Sequence, residues 1–489
     1  MSYQIEKGTG HLVISGWENG IAENPYDGTF DLRNVNTGTI PKEVSVGFGI
    51  TASTTSGVTL GVPISRATAF TSGQATAYYI LDAAGHVFSS STISGTWTYL
   101  STGVTLTGAS SLDAIVYWKG YLLKFRNDKI DYYTGGSWSN GWQTIVGTTQ
   151  HFALVGQDDV VYFCNGSGVG SILEKAGTTF DPSNAATYTI AATGTNSNAL
   201  ALPTYDIAQS LAELGQNLLT GGSQSAIYPW NRIATSFSYP IFCAEPYIRR
   251  MVTANNNVFV FPGNVTGRGR IYITNGSQIE VFYKFPDHIS GYEEPYYKFY
   301  DAIYHRNSVI FGMDVLQNGT GAVLSSPSGQ VWAIDCTTKA LRGVSDTPSG
   351  SPRVIIPDTS GTSQPGYAFI IGHSTGSVHG IGYSGTAAGT GIGTVKTEQI
   401  PVGTILDKKT FSQLEFKLGA PLESGESIAF QYISDLVATA TIGTTTTVGA
   451  VSDNFPVNFE KSQWLQIVVQ LTGASPTSGC RLKEIRLIP

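Results

Sequence analysis

The residues that could do chemistry come first. "GTGIGT", beginning at Gly389, has the glycine spacing of a phosphate-cradling loop. Such a loop needs a strand before it and a helix after it, so that backbone N–H groups converge on the anion. Here it lies in the run "GYSGTAAGTGIGTV", and it reads as a linker. No G-x-x-x-x-G-K-[ST] occurs, and no G-x-S-x-G stands in a strand–elbow–helix setting. "GTWTY", Gly95 to Tyr99, matches the end of an Asp-box turn, S-x-D-x-G-x-x-W, without its Ser and Asp, and reads as a turn between strands. The 7 histidines are scattered; His373 and His379 are the nearest pair, with no third ligand close by, so a zinc site is not expected. Glycoside hydrolysis needs two facing carboxylates. Asp287, Glu293 and Glu294 share one loop and read as surface acids. The 4 cysteines, Cys164, Cys243, Cys336 and Cys480, form no C-x-x-C pair and read as buried free thiols. No catalytic residue, cofactor site or metal site is expected, and the chain is read as no enzyme.

What the sequence offers instead is shape. "IYPWNRIATSFSYPIFCAEPYIRRMV", Ile227 to Val252, combines aromatic side chains with prolines that fix extended bends. "YKFPDHISGYEEPYYKFYDAIYHR", Tyr283 to Arg306, holds eight Tyr or Phe. Tyr supplies contact area at low entropic cost and is enriched at interfaces. Tyr283, Tyr292, Tyr296 and Tyr297 are therefore candidate interface residues, as is Trp230, which after Pro229 reads as packing at a blade interface.

The elements that must position these residues follow from composition and repetition. The chain has 489 residues, 41% hydrophobic and only 13% charged, with 57 Gly, 25 Tyr, 22 Phe and 8 Trp. Charge is about half that of an ordinary globular protein, while the aromatics demand burial, which excludes a disordered chain. The length favours more than one unit. A net charge of −7, with no basic run longer than Arg249-Arg250 or Lys408-Lys409, argues against binding that rests on phosphate neutralisation. The start, "MSYQIEKGTG", has no apolar core of a secretory signal, and no run reaches the ~18 apolar residues of a membrane span.

One phrase recurs: apolar run, polar or Gly turn, second apolar run. Its first turns fall near Gly85, Gly120, Asp158, Gln216, Asn257, Asn307 and Gly376. The mean spacing of about 48 residues suits one four-stranded propeller blade. The fold class is read as all-β: a propeller of about seven blades over residues 46–383, then a β-sandwich over 396–489. Residues 1–45 form a turn-rich segment that could supply a closing strand, and 384–395 a Gly/Thr-rich linker. "YDIAQSLAELGQNLL" carries Ile207, Leu211, Leu214 and Leu218 at helical spacing, but its register with the other phrases favours strands.

At these residues a resemblance enters. "LGQNLLTGGSQSAIYPWNRIATSFSYPI" with "NNNVFVFPGNVTGRGRIYITNGS" resembles β-propeller proteins of tailed-bacteriophage virions. "GIAENPYDGTFDLRNVNTGTIPKEV" is similar to the opening of the tail nozzle proteins of short-tailed phages, although Pro41-Lys42-Glu43 stands where that pattern has a basic residue before Pro-Gly. The resemblance implies a structural virion protein of the tail, made in the bacterial host cytoplasm. It implies a homo-oligomeric ring, a hexamer, that extends the DNA exit channel and helps retain and eject the genome. Tail adaptor or portal-side proteins and tail fibres or a needle would be its neighbours, with double-stranded DNA in transit. The alternatives are a receptor- or carbohydrate-binding tail module and, less favoured, a propeller glycosidase or lyase.

Overall fold

Short runs rich in Val, Ile, Tyr and Phe alternate with tight turns, and the backbone dihedrals at those turns show why the chain doubles back. Lys119-Gly120 (φ 48° and 90°) joins strand Ala114–Trp118 to Tyr121–Arg126. Asn255-Asn256 (φ 49° and 60°) joins Ile248–Ala254 to Asn257–Pro262. Two successive positive φ angles make the mirror-image turn whose twist matches that of antiparallel strands; Gly and Asn tolerate it best. "YDIAQSLAELGQNLL" also forms a hairpin, strands Ala208–Leu214 and Asn217–Gly222, with a single positive φ at Gly215 (57°) in its turn.

This computed structural model describes five short strands within residues 2–46. From residue 48 onward it describes all but 101–113, 146–150, 192–197, 264–267, 324–329, 347–349, 358–368, 402–410, 435–438, 475–479 and a scatter of shorter breaks. Every element among the described residues is β. Most of "GWENGIAENPYDGTFDLRNVNTGTIPKEV", with Pro25 and Pro41, lies outside them, as does Asp287.

From Ile64 to Ala388 the strands form successive antiparallel meanders, spanning residues 64–100, 114–144, 153–191, 208–242, 248–284, 296–346 and 351–388. The first strand of each packs against the first strand of the next. Ile64–Ser72 lies against Ala114–Trp118, and the contacts continue through Ala153–Val155, Ala208–Leu214, Ile248–Ala254 and Tyr296–His305 to Ser351–Pro357, which returns to Ile64–Ser72. The sheets therefore close into a ring, the β-propeller arrangement. Each gap between neighbouring sheets is filled by an apolar cluster. Examples are Phe125, Ile130 and Phe163 between the second and third sheets, and Leu219, Ile227, Met251 and Val260 between the fourth and fifth. A small twisted sheet cannot bury both faces alone; blade-on-blade packing does it. Hence Ser308–Leu316, "SVIFGMDVL", reads as a nearly continuous apolar run, buried along its whole length.

The last sheet takes its fourth strand from the other end of the ring. Phe48–Ala52 pairs with Val378–Ala388 through Ala52–Gly382, Thr51–Tyr383 and Ile50–Ser384. The strand that closes the ring thus lies just beyond the 1–45 segment expected to supply it.

Two further sheets face one another. In the first, Ser2–Ile5, Leu12–Ser15, Arg481–Ile488, Gln413–Leu418 and Ser452–Pro456 lie side by side, with Val44–Val46 on Arg481–Ile488. In the second, the order is Leu32–Arg33, Gly391–Lys396, Trp464–Gly473, Ser427–Ser434 and Ala440–Thr445. Alternate residues of Ser427–Ser434 point inward, and Phe430 meets Phe416 of the other sheet at 4.9 Å. The 384–395 linker expected from the Gly/Thr-rich sequence is mostly strand. Val378–Ala388 runs on through its first half, and Gly391–Lys396 pairs along Trp464–Gly473, from Gly391–Gly473 to Lys396–Val468. Within Gly391–Lys396, Thr394 and Val395 are paired on both sides, and 389–390 lie outside the described residues. Leu12, Ile14, Phe430 and Ile485 belong to the same buried cluster as Phe259, Phe311 and Trp332 of the ring, so the two-sheet body and the ring share a core.

Candidate functional site: the channel of the ring

Five of the inner strands carry a register shift that inserts extra residues. The shifts lie between Ile64 and Arg66, Ala208 and Ser210, Ile248 and Arg250, Phe299 and Ala302, and Pro352 and Val354. A bulge re-aims side chains that a regular strand would place alternately on its two faces. The residues in or beside these bulges are Arg66, Gln209, Arg249, Arg250, Tyr300, Asp301 and Arg353. Most of them gather around a cavity of about 440 Å³ whose walls include Arg66, Arg249, Arg250, Tyr300 and Asp301 together with Phe152.

Two polar relays cross the ring. Arg66 donates from Nε and Nη2 to the His151 carbonyl, at 2.8 and 2.6 Å. The Gln209 amide reaches His151 Nε2 at 3.1 Å, a bond that only a neutral imidazole can accept. On the other side Arg250 Nε approaches Asp301 Oδ1 at 2.9 Å while its guanidinium lies 4.2 Å from the centre of the Phe152 ring. The second oxygen of Asp301 accepts the Ile355 N–H at 3.1 Å. Tyr300 is buried, donates to Asp314 at 2.7 Å, and carries three cations near its ring: Arg353 at 4.3 Å, Lys298 at 5.2 Å and Arg249 at 6.0 Å.

Electrostatics follow from that crowding. Burial, then the neighbouring Arg249, lowers the Arg66 pKa to about 10. Burial also lowers Arg249 and Lys298, the latter further through Arg353 and Arg249. His151 is pushed down to about 3, first by burial and then by Arg66 and Arg249, so it is neutral at neutral pH. Burial and Asp314 raise the Tyr300 hydroxyl. An acidic chain of low charge thus concentrates cations at the centre of its own ring of sheets. The signal was present as single polar residues interrupting apolar strand starts, in "PISRATAF", "YIRRMVTA" and "SPRVIIP". Only the ring brings them together.

The candidate interface residues fall elsewhere. Trp230, Tyr283 and Tyr297 are fully buried within the chain. Trp230 meets Tyr162 edge-on at 5.9 Å between the third and fourth sheets, and its Nε1 donates to the Ala234 carbonyl at 2.5 Å. Tyr283 and Tyr297 both pack on Phe285, each at 5.0 Å. Tyr296 is half-buried, and Tyr292 lies in the short strand Tyr292–Glu293. Exposed apolar residues cluster instead in the stretch Ile227 to Val252: Ile233 (74% exposed), Tyr239, Phe242 (66%) and Tyr247, on the outermost strand of the fourth sheet and its flanks. Tyr239 reaches the Gly276 carbonyl of the fifth sheet at 3.3 Å, so this edge spans two blades.

The other sequence candidates stay apart. Glu294 is exposed and pairs with Arg268 at 3.2 Å. His379 bonds Ser374 at 2.8 Å, whereas His373 is buried. Among the described residues no three His, Cys, Asp or Glu side chains are grouped to hold a metal. Trp97 of "GTWTY" is core. The four cysteines carry free thiols, and Cys164, Cys243 and Cys480 are buried.

No known protein family and no curated protein matches this sequence. Among solved structures, the chain is similar to the β-propeller domain of Cps50 (Swd1) of Myceliophteria thermophila, with 10% identity, 69% of this chain and 99% of that one covered, and a TM-score of 0.46. It is also similar to the computationally designed Ika8 protein (10% identity, 68% and 99% covered, TM-score 0.41). The WD40 β-propeller domain of Doa1 is a third (13% identity, 66% and 93% covered, TM-score 0.40).

Proposed function

We propose that this chain is a non-enzymatic structural subunit of a bacteriophage tail. In this reading it is a seven-bladed propeller with a β-sandwich built from both ends of the chain. Copies associate in a sixfold nozzle ring through which double-stranded DNA leaves the virion. Residues 48–388 make the propeller, and residues 391–489 with the N-terminal strands make the sandwich. The observation that carries the reading is the exposed apolar edge from Ile233 to Tyr247. Large apolar side chains left in water on one blade edge mark an association surface, and a neighbouring copy or an adaptor of the tail would cover them. The sequence resemblance to nozzle proteins supplies the setting.

The test is made in assembled particles. Ile233→Asp with Phe242→Asp should leave the purified chain folded, because both side chains are exposed, yet prevent its incorporation into tails. Labelled wild-type chain should appear at the tail tip around the central channel. Label on capsid faces, or only on lateral fibres, would overturn the proposal. Binding of host glycans by the isolated chain would favour a receptor-binding module instead.

A further inference from the structure

We propose that the cavity at the centre of the ring is an anion site that takes one phosphate-bearing small molecule per chain. The site is distinct from the outer apolar edge and independent of what assembly the chain joins. Arg66, Arg249 and Arg250 line the cavity with Asp301, and behind its Tyr300 wall Arg353 and Lys298 lie 4.3 and 5.2 Å from the Tyr300 ring, near Asp314. Both carboxylates have partners, although Oδ1 of Asp314 is buried without one. Asp301 is held by Arg250 and the Ile355 N–H, and Asp314 by the hydroxyls of Tyr300 and Ser351. Among the described residues no carboxylate lies within ion-pair distance of Arg249, Lys298 or Arg353. Arg353 Nε is buried with no hydrogen-bond partner.

Three cations in such a place repel one another and have lost hydration, and a cation buried without a counter-charge is costly. The lowered pKa values of Arg249 and Lys298 are the same repulsion and desolvation seen from the proton's side. A bound anion removes the conflict. A lone carboxylate is satisfied by one planar fork, whereas the arginines that line the cavity come from two strands, Ile64–Ser72 and Ile248–Ala254, with Arg353 of Ser351–Pro357 against the Tyr300 wall. A tetrahedral group with several acceptor oxygens answers donors that converge from several directions. The cavity, about 440 Å³, exceeds what one phosphate fills, and Ile115, Val155 and Ile303 share its walls, so an uncharged moiety can lie beside the phosphate.

The experiment uses the full chain and pyrophosphate as the probe, with citrate and sodium chloride at matched ionic strength as controls. Calorimetry should give one pyrophosphate per chain, and its affinity should fall as salt rises. Pyrophosphate should also raise the melting temperature by several degrees more than either control. Arg249→Gln and, separately, Arg353→Gln should lose at least tenfold in affinity. Without anion, each variant should melt at or above the wild type, because a repelling charge has gone; with pyrophosphate present, it should melt below. That crossing of order is not expected from a residue whose role is only to support the fold. The site is overturned if pyrophosphate binds no more tightly than chloride, or if both variants bind it as the wild type does. It is also overturned if both variants are destabilised equally with and without anion. Citrate binding in place of pyrophosphate would overturn the assignment to phosphate.

Discussion

His151 shows how a single residue couples the channel to stability. Its imidazole accepts from Gln209, and burial, reinforced by two nearby arginines, pushes its pKa down to about 3. In the unfolded chain an ordinary His titrates near ~6.5. The unfolded state therefore takes up the proton first as pH falls. The stability that neutral His151 contributes is fully present above about 6.5 and is lost progressively toward about 3, by up to ~1.4 kcal/mol per pH unit. Melting curves between pH 7 and pH 4 should fall more steeply for the wild type than for His151→Asn; parallel curves would refute this. Trp230 makes the complementary point. Its burial between two sheets and its bond to Ala234 predict a loss of about 3–5 kcal/mol on Trp230→Ala, measured by denaturant unfolding.

Among the strands, the one that closes the ring is the most consequential. Phe48–Ala52 joins the chain's early residues to the last sheet, and directly after it the Ser53 N–H donates to the Ile381 carbonyl at 2.8 Å. Ser53→Pro removes that donor and should cost about 1–3 kcal/mol. Hydrogen exchange should quicken first in the sheets 351–388 and 64–100, which meet at the closure. Uniform acceleration around the ring would show that closure is not local. The same logic corrects the reading of 384–395 as a linker: a Gly/Thr-rich run looks flexible only when its pairing partners, here Leu32–Arg33 and Trp464–Gly473, are unknown.

For the molecule as a whole, the shared core has a mechanical consequence. Both ends of the chain lie in the two-sheet body, and its cluster runs on into the ring through Phe259, Phe311 and Trp332. A protease cut engineered at 389–390 should therefore leave the two fragments bound in native gel filtration. Separation into two independently folded pieces would contradict the shared core. Thermal unfolding of the uncut chain should follow one main transition rather than two.

What the sequence determined by itself was local. The period of the apolar phrases, the Asn-Asn and Lys-Gly turns and the β-branched runs specify strands, hairpins and the all-β character. Each of these depends on residues only a few positions apart. The helical spacing around Leu211 and Leu218 was overruled for the same kind of reason, since a turn glycine follows it. Tertiary structure alone decided the rest. Which aromatics are buried depended on which sheets meet, so Trp230, Tyr283 and Tyr297 went to the core while Phe242 stayed in water. The cationic channel was hidden because its arginines are separated by whole blades in sequence. Only ring closure, with a bulge in each contributing strand, turns isolated charges into one site.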